Sequence, residues 1–372
     1  MLIEIHNSII SILKEENEQK SDKVEKLLID LAIAHKNGDH IILGDSQVLH
    51  YLSIHVNFGK IIKSIYASRF KKKLDYIPLI KTFKKRIILV DDEYMKTNDN
   101  NNYYISIQSN ISFQKTVFIC EDLSDCEIYK YISNWTKKYI PEFSNFKISL
   151  ENRSCGGSQA KIHCKEEHKN MRYILLLLDT DRGYQNDKCS SSYHSGHTYY
   201  KNNKSDKVVG FIDVGYRNLE NIFSPKEYLK IKSLNKYQSQ ILDLINQELD
   251  KGNPNICKYF KYRDGYKVKN VIEISNNSIS FKMFFKDLYN KGFLKNIYLD
   301  ENDRFIELSD PNLICLNGLG KLIHLVEREN ILGNIESKTE LNLDFFNQWK
   351  EITKELFDWG CSYPKTAINI LI

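Results

Sequence analysis

Two short apolar runs that both end in acid constrain this chain most: Thr116-Val-Phe-Ile-Cys-Glu121-Asp-Leu-Ser-Asp125 and Tyr173-Ile-Leu-Leu-Leu-Leu-Asp179-Thr-Asp181. Each run is too short for a globular helix and is bounded by polar residues. Each therefore reads as a strand covered on both faces, as in a parallel sheet. The carboxylates then fall at the strands' carboxyl ends, where the loops of an open α/β sheet converge on one crevice. Carboxylates gathered there repel one another unless a cation neutralises them, and hard oxygen donors suit Mg2+ or Mn2+.

The remaining residues set bounds on that reading. A chain of 372 residues exceeds one ordinary core and predicts two or three domains. A hydrophobic share of 42% with 12% aromatics predicts a folded chain rather than a disordered one. Lys and Arg number 53 against 48 Asp and Glu. An excess of that size is compatible with a nucleic-acid partner, so the local distribution of charge has to decide. The eight cysteines are scattered, and the opening Met-Leu-Ile-Glu-Ile-His has neither the basic region nor the apolar core of a signal peptide. Reduced thiols in the cytoplasm are the expectation. No run approaches the roughly 18 apolar residues that span a bilayer, so no membrane partner is expected. Neither a Gly-x-Ser-x-Gly elbow nor a phosphate-binding P-loop is present, which removes the common nucleophile and nucleotide-hydrolysis schemes.

Residues 1 to 55 read as helical, with Ile3, Ile9, Ile10 and Leu13 on one face and Val24, Leu27, Leu28, Leu31 and Ala32 on another. Asn37-Gly-Asp interrupts them, and His40-Ile-Ile-Leu-Gly suits a short strand. Residues 60 to 86 are basic, with Lys71, Lys72, Lys73, Lys84, Lys85 and Arg86 prominent against the single acid Asp75. Tyr66, Phe70, Tyr76 and Phe83 lie among them. Such a run binds phosphates and stacks bases, or else is a solvated helix face over core aromatics; both readings stay open. Arg86-Ile-Ile-Leu-Val-Asp91 reads as a further strand, and the Asn-rich stretch from Asn98 as a linker.

From Thr116 the pattern alternates. A strand is followed by a helix carrying Ile128, Ile132 and Trp135, then a second strand over Phe146–Leu150 and a Gly156-Gly157 loop. A third strand ends at Leu178, and a fourth runs over Lys207–Asp213. The segment 182 to 206 shows little helical periodicity and reads as a polar loop. Strands alternating with helices predict a parallel sheet. Beyond Pro225 the chain turns mainly helical, at 237–249, 281–289, 323–331 and 343–359, and no internal repeat is visible.

The ordered set of Glu121, Asp125, Gly156-Gly157, Asp179, Asp181 and Glu220 resembles a TOPRIM domain, the fold shared by topoisomerases, primases and the overcoming-lysogenization-defect nucleases. The resemblance covers residues 116 to 230. It implies an α/β, Rossmann-like core of four parallel strands over 113–232. A mixed or helical N-terminal region (1–112) precedes it and a mainly helical C-terminal region (233–372) follows. It also implies that Glu121, Asp179 and Asp181 bind Mg2+ or Mn2+, with Asp125 and Glu220 the candidates for a second cation. Arg217-Asn-Leu-Glu220-Asn is similar to a run in the defence-associated branch of these nucleases. Asp122 stands where the family usually has glycine. Phosphodiester cleavage also needs a cation near the phosphate, for which Arg182, Lys188, Arg217 and Lys226 are candidates.

The activity so implied is metal-dependent nuclease action on DNA or on structured RNA, tRNA included. The chain would serve as a toxin-like effector of a bacterial anti-phage system of the retron kind, under the control of a protein or ribonucleoprotein partner. The alternative is a nucleic-acid-binding or regulatory module without catalysis. A rival metal set also exists: Cys155, His163, Cys164 and His168 before the third strand, and Cys189, His194 and His197 after it, are of the types that hold a structural Zn2+.

Overall fold

The computed structural model describes residues 1–15, 18–335 and 341–364. Two compact units divide the chain. The first takes Met1–Leu177, Ser195–Asp213 and the described residues from Lys350; the second takes Leu178–His194 and Val214–Trp349. These limits differ from the three regions read from sequence because the second unit interrupts the first.

The first unit contains two four-stranded sheets among its described residues. One is built from β1 (Leu2–Ile5), β2 (Ile41–Gly44), β3 (Arg86–Val90) and β4 (Asn102–Ser106), in the order β2-β1-β3-β4 with every pair parallel. Residues 1–112, expected to be mixed or helical, thus hold a four-stranded sheet. Leu2–Ile5 is a strand where the sequence reads as helical. Four residues, three of them buried, cannot carry a period, and an apolar run that short is ambiguous between the two structures. The long helix Glu18–Asn37 ends as expected at Gly38, whose φ of 75° lets the Asp39 amide reach back to the Ala34 carbonyl. Asp45 caps the next helix, Ser46–Ile54, by accepting from the Gln47 and Val48 amides.

The other sheet uses β5 (Thr116–Cys120), β7 (Leu150–Ser154), β8 (Ile174–Leu177) and β9 (Val209–Ile212), with the two-residue β6 (Lys147–Ile148) outside it. The order is β7-β5-β8-β9, again all parallel. The α/β expectation therefore holds, with a Rossmann-like winding. Two details differ from the sequence reading. The run Phe146–Leu150 is split, because β6 pairs antiparallel with Cys361–Ser362 and the sheet strand begins only at Leu150. An edge strand tolerates Glu151, Asn152, Arg153 and Ser154, so its hydrophobic signal is weak. The polar segment 182 to 206 also contains a helix, Ser191–Asn203. Its buried positions are Ser192, Tyr193, Gly196 and Tyr199, a helical spacing written in residues that hydrophobic periodicity does not register.

The end of the helix Leu343–Gly360 ties the two sheets of the first unit together. Trp359 is fully buried against Tyr103 of β4, with ring centroids 5.4 Å apart, and against β9, where a Cβ on Gly210 would stand 2.3 Å from the indole. Phe357 stacks on Phe143, and Phe143 on Phe83, within a cluster that includes Leu2, Ile41 and Leu43. Asp358 between them accepts the Lys84 amide N–H at 2.9 Å and is 4% exposed.

The second unit is mainly helical, with helices at Lys236–Asp250, Val268–Asn277, Ile279–Asn290 and Leu322–Arg328 among others. Two antiparallel strand pairs, Gly265–Lys267 with Ile314–Asn317 and Ile297–Leu299 with Phe305–Glu307, complete it. The helix over 236–250 starts on a reciprocal pair: Asn235 accepts the Gln238 amide and Gln238 accepts the Asn235 amide. Phe260, Tyr262, Tyr266, Phe281, Phe284 and Phe285 form its aromatic core. Among the described residues, no helix is long and apolar enough to cross a membrane.

Burial, reinforced by Glu355, pushes the Asp358 carboxyl up to about 7. A raised carboxyl binds its proton more tightly in the folded state. Its contribution to stability is therefore greatest below the unfolded value near 4 and is lost as pH rises toward 7. Asp358→Asn keeps the acceptor for Lys84 and removes the titration. Denaturant unfolding at about pH 5 and about pH 8 should show the native protein losing more stability across that interval than the variant does; parallel losses would contradict the assignment.

Candidate functional site

Glu121 follows β5 directly and is half-buried. Its backbone is pinned by the neighbouring strand, because its carbonyl accepts the Ser154 hydroxyl at 2.6 Å and the Gly156 amide at 3.2 Å. Gly156 and Gly157 both have positive φ, 56° and 66°, and a side chain at either would be strained although there is space for it. The expected glycine loop therefore does lie against Glu121. Asp125 serves the local fold, since its carboxylate accepts the Asp122 amide N–H at 3.0 Å at the start of the helix Leu123–Thr136.

The other acids belong to the second unit. The chain enters that unit after β8, through Leu178 and Asp179. The Asp179 carbonyl accepts the Ser190 hydroxyl at 3.0 Å, and the Thr180 carbonyl accepts the Ser190 amide at 2.7 Å. Thr180 is completely buried and donates its hydroxyl to the Tyr216 carbonyl at 2.5 Å. Asp181 adopts φ of 55°, a left-handed conformation that Asp tolerates better than most residues, and its amide donates to the Arg217 carbonyl at 2.8 Å. The Arg217 guanidinium lies 3.9 Å from the Asp181 carboxylate and donates to the Arg182 carbonyl at 2.9 Å. The Asp179-Thr-Asp181 segment is thus clamped by backbone bonds to 216–217 and to Ser190. Sequence reasoning misses Thr180 and Ser190, because a polar residue between two aspartates and a serine in a serine-rich stretch carry no distinguishing pattern.

Glu220 lies in the short turn Leu219–Ile222 and is 7% exposed, and burial raises its carboxyl above the ordinary range. Its neighbour Asn221 donates to the Cys257 and Phe260 carbonyls. Of the candidate cations, Arg217 pairs with Asp181, while Lys226 faces Asp250 at 3.5 Å and Lys188 is exposed. The donor chemistry of Glu121, Asp179 and Asp181 is all carboxylate and suits a hard divalent cation. Of the candidates for a second cation, Asp125 holds the start of its helix with one carboxylate oxygen and Glu220 is buried. Among the described residues, no three His, Cys, Asp or Glu side chains converge as a metal-ligand set.

The zinc-type residues disperse. Cys155 and Cys164 are buried thiols, each pushed up to about 12 by burial. His168 bonds the Tyr199 hydroxyl at 2.6 Å, and burial with Lys207 lowers it to about 4. His163 pairs with Glu166, His194 and Cys189 are at least partly exposed, and the His197 ring lies against Phe211. All eight cysteines are free.

The basic run is divided by the fold. Lys71 and Lys73 are exposed at the end of the helix Lys60–Lys71, with Lys72 half-buried beside Tyr363. Lys84 is exposed as well. Lys85 pairs with Glu355 at 3.0 Å and Arg86 with Glu4 at 3.3 Å. Tyr66 and Phe83 are core residues, not stacking platforms.

Comparison with known proteins returns nothing: no family model, no curated protein and no solved structure matches the chain.

The cap made by Asp125 yields a measurable expectation. Asp125→Ala should cost about 0.5–1.5 kcal/mol of stability in denaturant unfolding, the range for losing one intramolecular hydrogen bond. A variant as stable as the native protein would remove that structural role.

Proposed function

We propose that this protein is a divalent-cation-dependent nuclease of the TOPRIM type, hydrolysing phosphodiester bonds in DNA or structured RNA. The observation that carries the reading is strand order. The strand preceding Glu121 lies beside the strand preceding Asp179-Thr-Asp181, parallel and in register from Val117 with Ile174 to Ile119 with Leu176. The glycine loop following the other neighbour of β5 is bonded to Glu121. Acids leaving adjacent parallel strands in one direction are what a carboxylate-held cation at a sheet's carboxyl edge requires. Mg2+ or Mn2+, for which the TOPRIM resemblance implies Glu121, Asp179 and Asp181 as ligands, would supply an activated water and neutralise the phosphate. The chain's own contribution is positional: Thr180, Ser190 and Arg217 fix the Asp-x-Asp segment, and Gly156-Gly157 leaves the backbone near Glu121 uncovered.

Lys71, Lys73 and Lys84, which are exposed, and the half-buried Lys72 are the residues of the predicted basic set open to a nucleic-acid backbone. A cytoplasmic location rests on the scattered cysteines and the absence of a signal-peptide pattern in the sequence. A role as a bacterial anti-phage effector of the retron kind, governed by a protein or ribonucleoprotein partner, rests on the TOPRIM resemblance. One observation favours the alternative of a non-catalytic nucleic-acid-binding module: the Arg217 guanidinium stands 3.9 Å from the Asp181 carboxylate, a group the cation would need.

Incubation with plasmid DNA, single-stranded DNA and total tRNA, with Mg2+, Mn2+ or EDTA, separates the two. Cleavage should require the divalent ion and fall by at least about a hundredfold in Glu121→Ala and in Asp179→Ala, as for loss of a group that stabilises the transition state. Cleavage that persists in EDTA or in either variant sinks the metal-nuclease reading, and binding without cleavage throughout establishes the module. Neutralising Lys71, Lys72 and Lys73 together should weaken binding and flatten its salt dependence; unchanged binding removes them from the interface.

A further inference from the structure

A cavity of about 120 Å3 lies wholly within the second unit, with Asp181, Arg217, Lys261, Tyr266, Asn270 and Glu273 on its wall. That is roughly the space of four water molecules, enough for one tetrahedral oxyanion. Its two cations are poorly matched by the acids around them. The Arg217 side chain is only 12% exposed, yet its nearest carboxylate oxygen, on Asp181, is 3.9 Å away, beyond hydrogen-bond length. A guanidinium has five N–H donors. Here one donates to the Arg182 carbonyl, and the buried Nε has no hydrogen-bond partner among the described residues. Elsewhere in the chain Arg172, also buried, meets Glu151 at 2.6 Å. Among the described residues the ion-pair partner of Lys261 is Asp264, 3.7 Å away and 65% exposed, a pair that solvent screens.

The acids on the wall do not close this gap. Asp187, which also lines it, accepts the Gly183 amide at 2.8 Å and the Lys188 amide at 2.7 Å and is occupied by its own turn. Glu273 sits on the exposed side of the helix Val268–Asn277. Asn270 spends its oxygen on the Lys267 amide, which leaves its side-chain N–H groups as donors to the cavity. The Tyr266 hydroxyl accepts the Lys261 amide and can donate in turn. A buried, underpaired guanidinium is costly to maintain, and an incoming anion relieves that cost.

We propose that Arg217 and Lys261 form an anion subsite that takes a phosphate group, with Asn270 and Tyr266 as additional donors. The planar fork of arginine beside a lysine point charge is the donor pair suited to phosphate oxygens. That the phosphate belongs to a nucleic-acid backbone rests on the nuclease reading; the anion subsite itself rests on the charge pattern of the cavity.

The test uses the full chain in EDTA, so that no cleavage contributes. Inorganic phosphate is titrated by calorimetry and a short labelled oligonucleotide by fluorescence anisotropy. Arg217→Gln and Lys261→Gln are compared with native protein, and Lys236→Gln serves as a charge control on an exposed helix position. Each of the two cavity variants should weaken both ligands by about tenfold or more and lower the salt dependence of oligonucleotide binding, with the control unchanged. Because Arg217 also clamps the 179–183 segment, Lys261→Gln with a native melting profile is the deciding variant. If Lys261→Gln binds both ligands like native protein, the subsite is overturned, even where Mg2+-dependent cleavage is observed. If phosphate binding is lost in the variants while the native protein binds no oligonucleotide in EDTA and cuts none when Mg2+ or Mn2+ is supplied, the subsite stands and the nuclease reading falls.

Discussion

The contact on which the first unit depends is the burial of the end of the helix Leu343–Gly360 between its two sheets. Trp359 fills the space left by Gly210 on β9 and lies against Tyr103 of β4, while Phe357, Phe143 and Phe83 stack in sequence toward β1 and β2. Aromatic pairs of this kind add about 0.5–1.5 kcal/mol each beyond the area they bury. Four-stranded parallel sheets need cover on both faces, and here one helix end supplies cover to both sheets. Residues from the far end of the sequence are thus part of the core that holds β1, and the buried carboxyl of Asp358 is a polar consequence of placing a helix end there.

A second constraint follows from the insertion. The second unit leaves the first after β8 and after β9, so the segment carrying Asp179 and Asp181 is the polypeptide that opens it. Its geometry is set by bonds from Ser190, Tyr216 and Arg217 rather than by the sheet. Asp181 is held left-handed, and the guanidinium nearest to it is buried and incompletely paired. A non-glycine residue kept in that conformation by several bonds, next to an underpaired charge, is the kind of arrangement that clusters at functional sites.

Much of this is legible in the chain and some is not. The strands at Thr116–Cys120 and Ile174–Leu177 announce themselves because both faces are buried and the runs are uniformly apolar. β7 is displaced in a sequence reading because an edge strand is half-polar. The helix Ser191–Asn203 reads as a loop because its buried face is Ser, Tyr and Gly. Both sheets wind in the same order, β2-β1-β3-β4 and β7-β5-β8-β9, without any visible repeat in the sequence. Strand pairing needs only buried apolar runs, not repeated residues.

The sequence by itself determined which residues are strand-end carboxylates and in what order they come with the glycine pair, since chain order and local burial patterns are one-dimensional properties. It also determined the α/β character of the core. Tertiary structure alone decided that Glu220 is buried, with its carboxyl raised above the ordinary range, and that Lys85 and Arg86 are paired with Glu355 and Glu4. It alone set Lys261 beside Arg217, one of four cations the sequence offered, on the wall of one cavity. The reason is that charge and hydrogen-bonding capacity are written in the sequence, whereas the partners that consume them are set by which distant segments fold against one another.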